Sequence, residues 1–132
     1  VDIAIGAAAV ADYKPVVIAQ QKIKKKTGNY TIELEPTEDI LAYMGKNKKE
    51  QFLVGFALET ENEIENATAK LERKNLDLIV LNSLNDEGAG FKTSTNKVTF
   101  ITRNKEVKPN DIKSKEAVAI DIFNEIRNAI HV

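Results

Sequence analysis

The sequence predicts an α/β fold of three layers, with a Rossmann-like, mostly parallel sheet and a small antiparallel hairpin annex at one edge. Three short segments are almost wholly apolar, as expected of strands that are covered on both faces, and helical patterns lie between them. These segments are Val1–Ala7, Phe52–Leu58 and Leu76–Leu81. A further strand at Lys97–Thr102, with Asn104 and Lys105 as turn residues, predicts the hairpin.

The first half of the chain carries several short elements. We expect a helical turn over Ala8–Tyr13 that ends before Pro15. Residues 20–29 are polar and without periodicity, which predicts a loop, and Tyr30–Glu35 alternates like a half-exposed strand. A short helix should follow, with Thr37 as its N-cap, apolar residues at helical spacing and a glycine at its end; these are Ile40, Leu41, Met44 and Gly45.

The second half predicts two amphipathic helices. Asn62–Lys74 carries an inner stripe of Ile64, Ala67 and Leu71. Ser114–Ile130 begins with Ser114 as N-cap and has apolar residues at steps of four, namely Val118, Ile122, Ile126 and Ile130. Between the helices, Asn82–Thr95 has the composition of a loop and contains Gly88, Ala89 and Gly90.

Length and composition exclude several classes of function. The 132 residues fit one domain, 1–132, and 19 basic against 20 acidic residues give a net charge of −1. That balance argues against a nonspecific nucleic-acid or membrane-surface binder. The lack of Cys and the single His131 exclude disulfides, thiolate nucleophiles and a histidine-based triad. Neither a signal peptide nor a membrane span is visible. The lack of Cys permits the cytoplasmic location that we expect.

The beginning of the chain predicts a fragment of a longer protein. It opens on Val1, without Met, inside a segment that reads as a buried strand. We therefore expect one or more N-terminal strands of the sheet to be missing from this chain.

Two segments are candidates for binding phosphate. Gly6, Ala7 and Ala8 end the first predicted strand, and small residues there allow an anion to approach backbone N–H groups. The alternative is tight packing of a turn. Lys22 opens a run with four lysines in five positions, which suits a polyphosphate or is simply a solvated charged segment.

Three further side chains could complete a nucleotide site. Phe56 could stack on a base or belong to the core. Lys70 and Lys74 lie one turn apart and could hold phosphates or face solvent. Their helix should run away from the ligand edge of the sheet, which argues against the functional interpretation.

Carboxylates near these groups could hold Mg²⁺ directly or through water. The candidates are Asp12, Glu38 and Asp39. Each has a structural alternative, because Asp12 could cap a turn and the other two favour a helix N-terminus.

Read in order, these segments resemble the phosphopantothenoylcysteine synthetase family over essentially the whole chain. The matching segments are Ala7–Pro15, Lys22–Lys25, Thr37–Leu41, Val54–Thr60, Lys70–Asp77, Asn82, Gly90–Phe91 and Asn96–Thr99. The resemblance implies a ligase of coenzyme A biosynthesis that joins 4′-phosphopantothenate to cysteine with CTP, through an acyl-cytidylate.

The resemblance also implies roles for individual residues. Lys22 would be the catalytic lysine and would contact the triphosphate. Asp12 would lie beside the nucleotide and could contact it through Mg²⁺. The nucleotide site would comprise Gly6, Ala7, Ala8, Asp12, Lys22, Glu38, Asp39, Ile40, Leu41, Phe56, Lys70 and Lys74.

Expectations about partners follow from the same resemblance. Family members dimerise, and the Lys97–Thr102 hairpin is a reasonable place for a homodimer contact. Most bacterial members are fused to a flavin-dependent decarboxylase, so flavin would belong to the other half and not to this portion. The family's N-x-S-S-G segment is absent, which predicts that this chain alone does not turn over. It would then be a nucleotide-binding or dimerisation fragment.

Overall fold

The computed structural model describes residues 1–25, 27–83 and 95–131. Within these ranges the chain forms nine strands and three helices. In chain order they are β1 (Ile3–Gly6), β2 (Tyr13–Pro15), β3 (Leu34–Pro36), α1 (Ile40–Asn47), β4 (Phe52–Glu59), α2 (Glu63–Arg73), β5 (Leu78–Ser83), β6 (Thr95–Asn96), β7 (Val98–Thr102), β8 (Val107–Pro109), β9 (Lys113–Ser114) and α3 (Lys115–Ile130).

The central sheet has five strands in the order β1-β4-β5-β7-β8. The first three are parallel, and the β7–β8 hairpin adds to β5 in antiparallel fashion. The predicted mostly parallel sheet with an antiparallel hairpin at its edge is therefore confirmed. Two small sheets lie outside it, an arm made of β2 and β3 and the pair β6 and β9.

Alternating residues of the central strands bury two apolar clusters, one on each face of the sheet. One face packs against α2 and the inner side of α1, and includes Leu53, Ile79 and Ile101. The other packs against α3, and includes Val80 and Phe100. The molecule thus has three layers, as the apolar segments predict.

The predictions for the N-terminal segment are wrong in two respects. The first strand is not buried on both faces: Ile3 and Ile5 are each 38% exposed, because β1 has only β4 beside it in the described chain. Ala8–Tyr13 forms no helical turn, because Tyr13–Pro15 is extended and pairs with β3. Pro15 favours that extended backbone in the residue before it.

The short helix α1 forms, but both of its predicted ends are wrong. Asp39, and not Thr37, is the N-cap, since Asp39 Oδ1 accepts a hydrogen bond of 3.0 Å from the Ala42 N–H. Gly45 lies inside the helix instead of ending it. The predicted strand at Tyr30–Glu35 is also shorter, since only Leu34–Pro36 pairs.

Both long helices are confirmed, with Ser114 as the N-cap of α3. One predicted inner residue of each helix is largely exposed, Ile64 at 41% and Ile130 at 47%, because each lies near a helix end beyond the sheet's cover. In the predicted Asn82–Thr95 loop, residues 82–83 finish β5 and Thr95 begins β6. The predictions for 84–94, including Gly88, Ala89, Gly90 and Phe91, lie outside the described residues.

The hairpin stays a predicted dimer contact, but β7 is its inner strand and β8 forms the edge of the central sheet in the described chain. β7 lies between β5 and β8, and Val98, Phe100 and Ile101 are buried. Among the helices in the described ranges, none has the length and apolar character needed to cross a membrane.

Candidate functional site

A cavity of about 360 Å³ opens at the carboxyl ends of β1 and β4. In open α/β sheets this edge is where ligands bind. Its wall combines the end of β1, the segment that follows it, the first turn of α1 and Lys74, which directly follows α2. The lining residues are Gly6, Ala8, Val10, Ala11, Asp12, Thr37, Glu38, Asp39, Ile40, Leu41, Met44, Phe56 and Lys74.

Thr37 holds two parts of this wall together. Its hydroxyl donates a hydrogen bond of 2.5 Å to the Ala11 carbonyl, and its N–H donates one of 2.9 Å to the Asp12 carbonyl. These bonds fix the segment after β1 against the start of α1. The position of Asp12 at the cavity therefore depends on the backbone around it and on Thr37.

Gly6 and Gly55 let α1 approach the sheet closely. The two glycines pair in neighbouring strands. A Cβ on Gly55 would lie 2.6 Å from Leu76 Cδ1 and 2.9 Å from Leu41 Cδ2, and one on Gly6 would lie 3.2 Å from Leu41 Cδ1. The absence of side chains at these positions thus seats Leu41, and with it the first turn of α1, beside the cavity.

An ion pair crosses the cavity wall from α1 to the end of α2. Lys74 Nζ lies 3.0 Å from Asp39 Oδ2. Partial burial acts to raise the pKa of Asp39, but the hydrogen bond from Ala42 N–H and the Lys74 ammonium outweigh it, so the pKa lies below its ordinary value. Asp39 is therefore anionic at neutral pH and balances the charge of Lys74.

Lys70 is paired in a similar way, outside the cavity wall. Its Nζ lies 2.6 Å from Glu59 Oε1, at the carboxyl end of β4. That oxygen is closed off from solvent and makes no well-aligned hydrogen bond within the described chain, so charge attraction rather than hydrogen-bond geometry stabilises it. Lys70 is thus held near the carboxyl edge of the sheet, although it does not line the cavity.

The structure brings together most of the residues that the resemblance assigns to a nucleotide. Those on the cavity wall are Gly6, Ala8, Asp12, Glu38, Asp39, Ile40, Leu41, Phe56 and Lys74. Ala7, Lys22 and Lys70 are not on it. Lys22 lies on an exposed segment without regular structure.

The topological argument holds for the backbone of α2, since β4 and β5 are parallel, but it does not hold for the side chain of Lys74. It places the end of α2 away from the ligand edge, but the Lys74 side chain points back along α1 to Asp39. A helix axis gives the direction of the backbone, whereas a lysine side chain extends ~6 Å from its Cα and can return to the other end of a short neighbouring helix.

Phe56 lies between the core and the cavity, and its proposed stacking on a base stays a prediction. It is partly buried against the apolar cluster beneath α3, and it also contributes to the cavity wall. Four further residues of the wall, Val10, Ala11, Thr37 and Met44, are absent from the sequence-based set. Their adjacency in sequence to Asp12 and to α1 is the signal that could have identified them.

The carboxylates of the wall suit a divalent cation that arrives with phosphates. Asp12, Glu38 and Asp39 line the cavity. No group of three or more potential metal-ligating side chains comes together in the part of the chain that the structure describes. Mg²⁺ is commonly bound by one or two carboxylates together with substrate phosphates, which fits this arrangement.

The fold and site together define a class: a three-layer α/β domain with a ligand cavity at the carboxyl edge of a mostly parallel sheet, lined by backbone, carboxylates and a lysine. The family model described as "DNA/pantothenate metabolism flavoprotein C-terminal domain" matches residues 1–130. The chain belongs to this family.

Two curated relatives and one solved structure are similar over nearly the whole chain. A protein from an unknown prokaryotic organism, named cysteine/cysteine sulfinic acid decarboxylase, is 53% identical over 131 residues, which is 98% of this chain and 36% of that one. The coenzyme A biosynthesis bifunctional protein CoaBC of Bacillus subtilis strain 168 is 46% identical over 125 residues, 95% of this chain and 31% of that protein. The crystal structure of the C-terminal domain of a CoaBC protein superimposes with a TM-score of 0.78 at 37% identity, covering 99% of this chain and 56% of that one.

The chain therefore spans about a third of the length of these curated relatives. It matches the C-terminal domain of the coenzyme A biosynthesis proteins in sequence and in fold.

Proposed function

We propose that this chain, as one domain over residues 1–132, is the nucleotide-binding part of a ligase that joins 4′-phosphopantothenate to cysteine at the expense of CTP. The observation that carries the proposal is the cavity, which gathers nine of the residues that the family resemblance assigns to the nucleotide. The names and the fold of the CoaBC relatives support the same assignment.

The proposed reaction has two steps, and neither requires a histidine or cysteine side chain of the protein. A carboxylate oxygen of phosphopantothenate attacks the α-phosphorus of CTP, the bond to the β-phosphate oxygen breaks, and pyrophosphate leaves. The cysteine amine then attacks the acyl carbon, the bond to CMP oxygen breaks, and the amine loses a proton. Because the nucleophiles are a carboxylate and an amine, the protein's task is alignment and charge stabilisation.

The residues of the cavity have groups that suit this task. Backbone N–H groups after Gly6 and around the first turn of α1 can bind phosphate oxygens. Lys74 can exchange its contact with Asp39 for one with the triphosphate. Asp12 would hold Mg²⁺ together with phosphate oxygens, and the ion would neutralise charge on the triphosphate. Lys22 and Lys70 complete the proposed set from outside the wall.

The partners of the proposed function are CTP, 4′-phosphopantothenate and cysteine, with a fused decarboxylase in the longer protein and a homodimer in solution. The exposed apolar residues of the β2–β3 arm and of the segment between its strands are a better surface for a second copy than the β7–β8 hairpin. They include Val17 at 79% and Ile18 at 85% exposure. The cytoplasmic location expected from the sequence stays a prediction.

A second candidate activity follows from the name of the relative at 53% identity, decarboxylation of cysteine or its sulfinic acid. This chain spans 36% of that relative, so the named activity can belong to the part that lies outside the match. The cavity favours the ligase, because its backbone, lysine and carboxylates suit a nucleotide with its cation.

Turnover by the protein as its gene encodes it tests the proposal. With CTP, Mg²⁺, phosphopantothenate and cysteine, we expect pyrophosphate release together with the amide product, identified by mass. Replacement of Lys74 by Ala should reduce turnover at low CTP at least tenfold. The control Lys46→Ala, at an exposed lysine of α1 that does not line the cavity, should leave turnover unchanged. Release of CO₂ from cysteine or cysteine sulfinate, without pyrophosphate, would favour the second candidate.

A further inference from the structure

The end of α2 is held by an unusual backbone arrangement at Asn75, directly after Lys74. Leu76 N–H donates to the Leu71 carbonyl at 2.9 Å and Asn75 N–H donates to the Glu72 carbonyl at 3.0 Å, which together form a Schellman motif. Asn75 has φ +52°, in the left-handed region that such an ending requires. Gly would be the ordinary residue at this position, since it adopts positive φ without strain.

The Asn75 side chain provides what a glycine could not. Its Nδ2 donates a hydrogen bond of 2.8 Å to the Gly45 carbonyl of α1, and its Oδ1 accepts one of 3.0 Å from Arg103 Nη2. One amide therefore connects the end of α2 to α1 and to the turn of the β7–β8 hairpin. The amide nitrogen and the amide oxygen each have a partner on another element, so the orientation of the side chain is defined.

Arg103 is itself fixed by Asp77. Arg103 Nη1 lies 3.0 Å from Asp77 Oδ1, and the Arg103 N–H donates to the Asp77 carbonyl at 2.8 Å. The other carboxylate oxygen, Oδ2, accepts from the Leu53 N–H at 2.8 Å and from Lys48 Nζ at 2.5 Å. The amide of Asn75 is thus anchored on the sheet and on the hairpin, and is not a mobile surface group.

α1 meets Lys74 at two points. Its start provides Asp39, which pairs with the Lys74 ammonium, and its interior provides Gly45, which lies against the Lys74 backbone. A Cβ on Gly45 would be 1.8 Å from the Lys74 carbonyl oxygen. The bond from Asn75 to Gly45 joins the same two segments, so it sets the distance and angle from which Lys74 reaches the cavity.

From this geometry we infer that Asn75 is a positioning residue for the nucleotide site: its side chain clamps the end of α2 to α1 and so aims Lys74 into the cavity. The inference rests on the proposed function. It assigns a role to a residue that does not line the cavity and does not touch the ligand.

The test compares nucleotide affinity and melting temperature for three substitutions in the protein as its gene encodes it. Asn75→Gly keeps the positive-φ backbone and removes both side-chain bonds. Asn62→Gly is the matched control, because Asn62 also has positive φ, at 44°, lies at the other end of α2 and makes no side-chain capping bond. Lys74→Ala, alone and combined with Asn75→Gly, reports whether the effect passes through Lys74.

We expect Asn75→Gly to raise the dissociation constant of CTP with Mg²⁺ about tenfold, and Asn62→Gly to leave it unchanged. The double variant should bind no more weakly than Lys74→Ala alone, because a misaimed lysine and a missing one lose the same contact. If Asn75 only stabilised the fold, the losses of CTP affinity in the two single variants would add in the double variant. Those losses would also parallel the decreases in melting temperature.

The outcomes separate the inference from the function on which it rests. If wild-type protein binds no nucleotide, the proposed function fails and the inference falls with it. If the wild-type protein binds CTP and Asn75→Gly binds it equally well, the inference alone is wrong. The same holds if the losses of CTP affinity caused by Asn75→Gly and Lys74→Ala add fully in the double variant. If Asn75→Gly does not fold, Arg103→Gln replaces it, because Arg103 is 56% exposed and is one of the two partners of the Asn75 amide. Arg103→Gln must then weaken CTP binding, and combining it with Lys74→Ala must weaken binding no further than Lys74→Ala alone.

Discussion

Gly45 determines how closely α1 and the end of α2 can approach. Its hypothetical Cβ meets the backbone oxygen of Lys74 at 1.8 Å, and a carbonyl cannot move without displacing the helix end. At Gly55 the atoms in the way belong to the side chains of Leu76 and Leu41, which can adopt other rotamers at moderate cost. The two glycines therefore tolerate substitution differently, although both are buried.

We predict that Gly45→Ala lowers the free energy of unfolding by about 3 kcal/mol or more, and Gly55→Ala by about 1–3 kcal/mol. Denaturant unfolding of the two variants, followed by circular dichroism, measures both. Equal losses, or a smaller loss at Gly45, would contradict the contact described between α1 and the Lys74 backbone.

Asp39 has two roles at the start of α1, as N-cap and as partner of Lys74. Its folded-state pKa lies below the ordinary value of 3.8, so it binds a proton less readily in the folded than in the unfolded chain. It therefore contributes stability above about pH 4, and this contribution is lost as the pH falls through the lower folded pKa. Because Asp39 is about half exposed, solvent screening makes the contribution small.

Replacing Lys74 by Met should raise the pKa of Asp39, since the ammonium is one of the groups that lower it. Carboxyl chemical shifts of Asp39, followed by NMR from pH 2 to 7 in wild type and variant, measure the change. Lys46→Met serves as a control that leaves Asp39 untouched. An identical titration of Asp39 in the Lys74→Met variant would show that the ion pair does not form in solution.

At the scale of elements, α3 shows how one helix divides between core and surface. Val118, Ile122 and Ile126 lie at steps of four and are buried against the sheet. Ile120 and Phe123, on the other side of the same helix, are 61% and 62% exposed. Periodicity in the sequence identifies the buried stripe, because the helix repeat of 3.6 residues fixes which side chains share a face.

Truncation along α3 should follow this division. We expect Ile126→Ala to cost about 2–5 kcal/mol of unfolding free energy, because it leaves a cavity beneath the helix. Ile120→Ala should cost below about 0.5 kcal/mol, as expected for an exposed position away from special contacts. Chemical denaturation of the two variants distinguishes them, and a comparable loss for both would mean that the outer face of α3 is covered.

The elements that the sequence predicts well are those with long, regular patterns. The sequence identifies β4, β5, α2 and α3. In each of them the spacing of the apolar residues and the length of the segment are typical of the element that the structure shows. β1 misled the prediction because its apolar sequence is typical of a strand covered on both faces, whereas it has one strand neighbour in the described chain. The sequence predicts no strand at β2 and too long a strand at β3, because strands of three residues carry too few positions for a pattern.

The candidate site was predictable in part for a different reason. Most residues of the wall follow from the order of motifs in the family resemblance. The Lys74–Asp39 pair does not follow from sequence, because the two residues are 35 positions apart and only the packing of α1 against the residues that follow α2 brings them together. The amide bonds of Asn75 were hidden for the same reason.

At the scale of the whole molecule, exposed apolar surface concentrates on the arm and on the segment that joins its strands. Val17, Ile18 and Ile32 are at least 57% exposed there. A concentration of exposed apolar residues marks an interaction site more often than a single exposed residue does. The partner expected from the family resemblance is a second copy of the chain.

We predict that replacing Val17 and Ile18 together by Asp shifts the protein from dimer to monomer, because two charges would be desolvated in the contact. Sedimentation velocity at several protein concentrations measures the change. Ile120→Asp, at an apolar position on α3 that is 61% exposed, is the control and should leave the dimer intact. A wild-type protein that is monomeric throughout would contradict the prediction directly.

We propose that the cavity between β1, α1 and Lys74 binds the nucleotide of a ligase. The most direct test is a calorimetric titration of the chain with CTP and Mg²⁺, alongside Lys74→Ala and Lys46→Ala. We predict saturable binding at one site per chain, weakened at least tenfold by Lys74→Ala and unchanged by Lys46→Ala. No binding of CTP, or equal binding by wild type and Lys74→Ala, would contradict it.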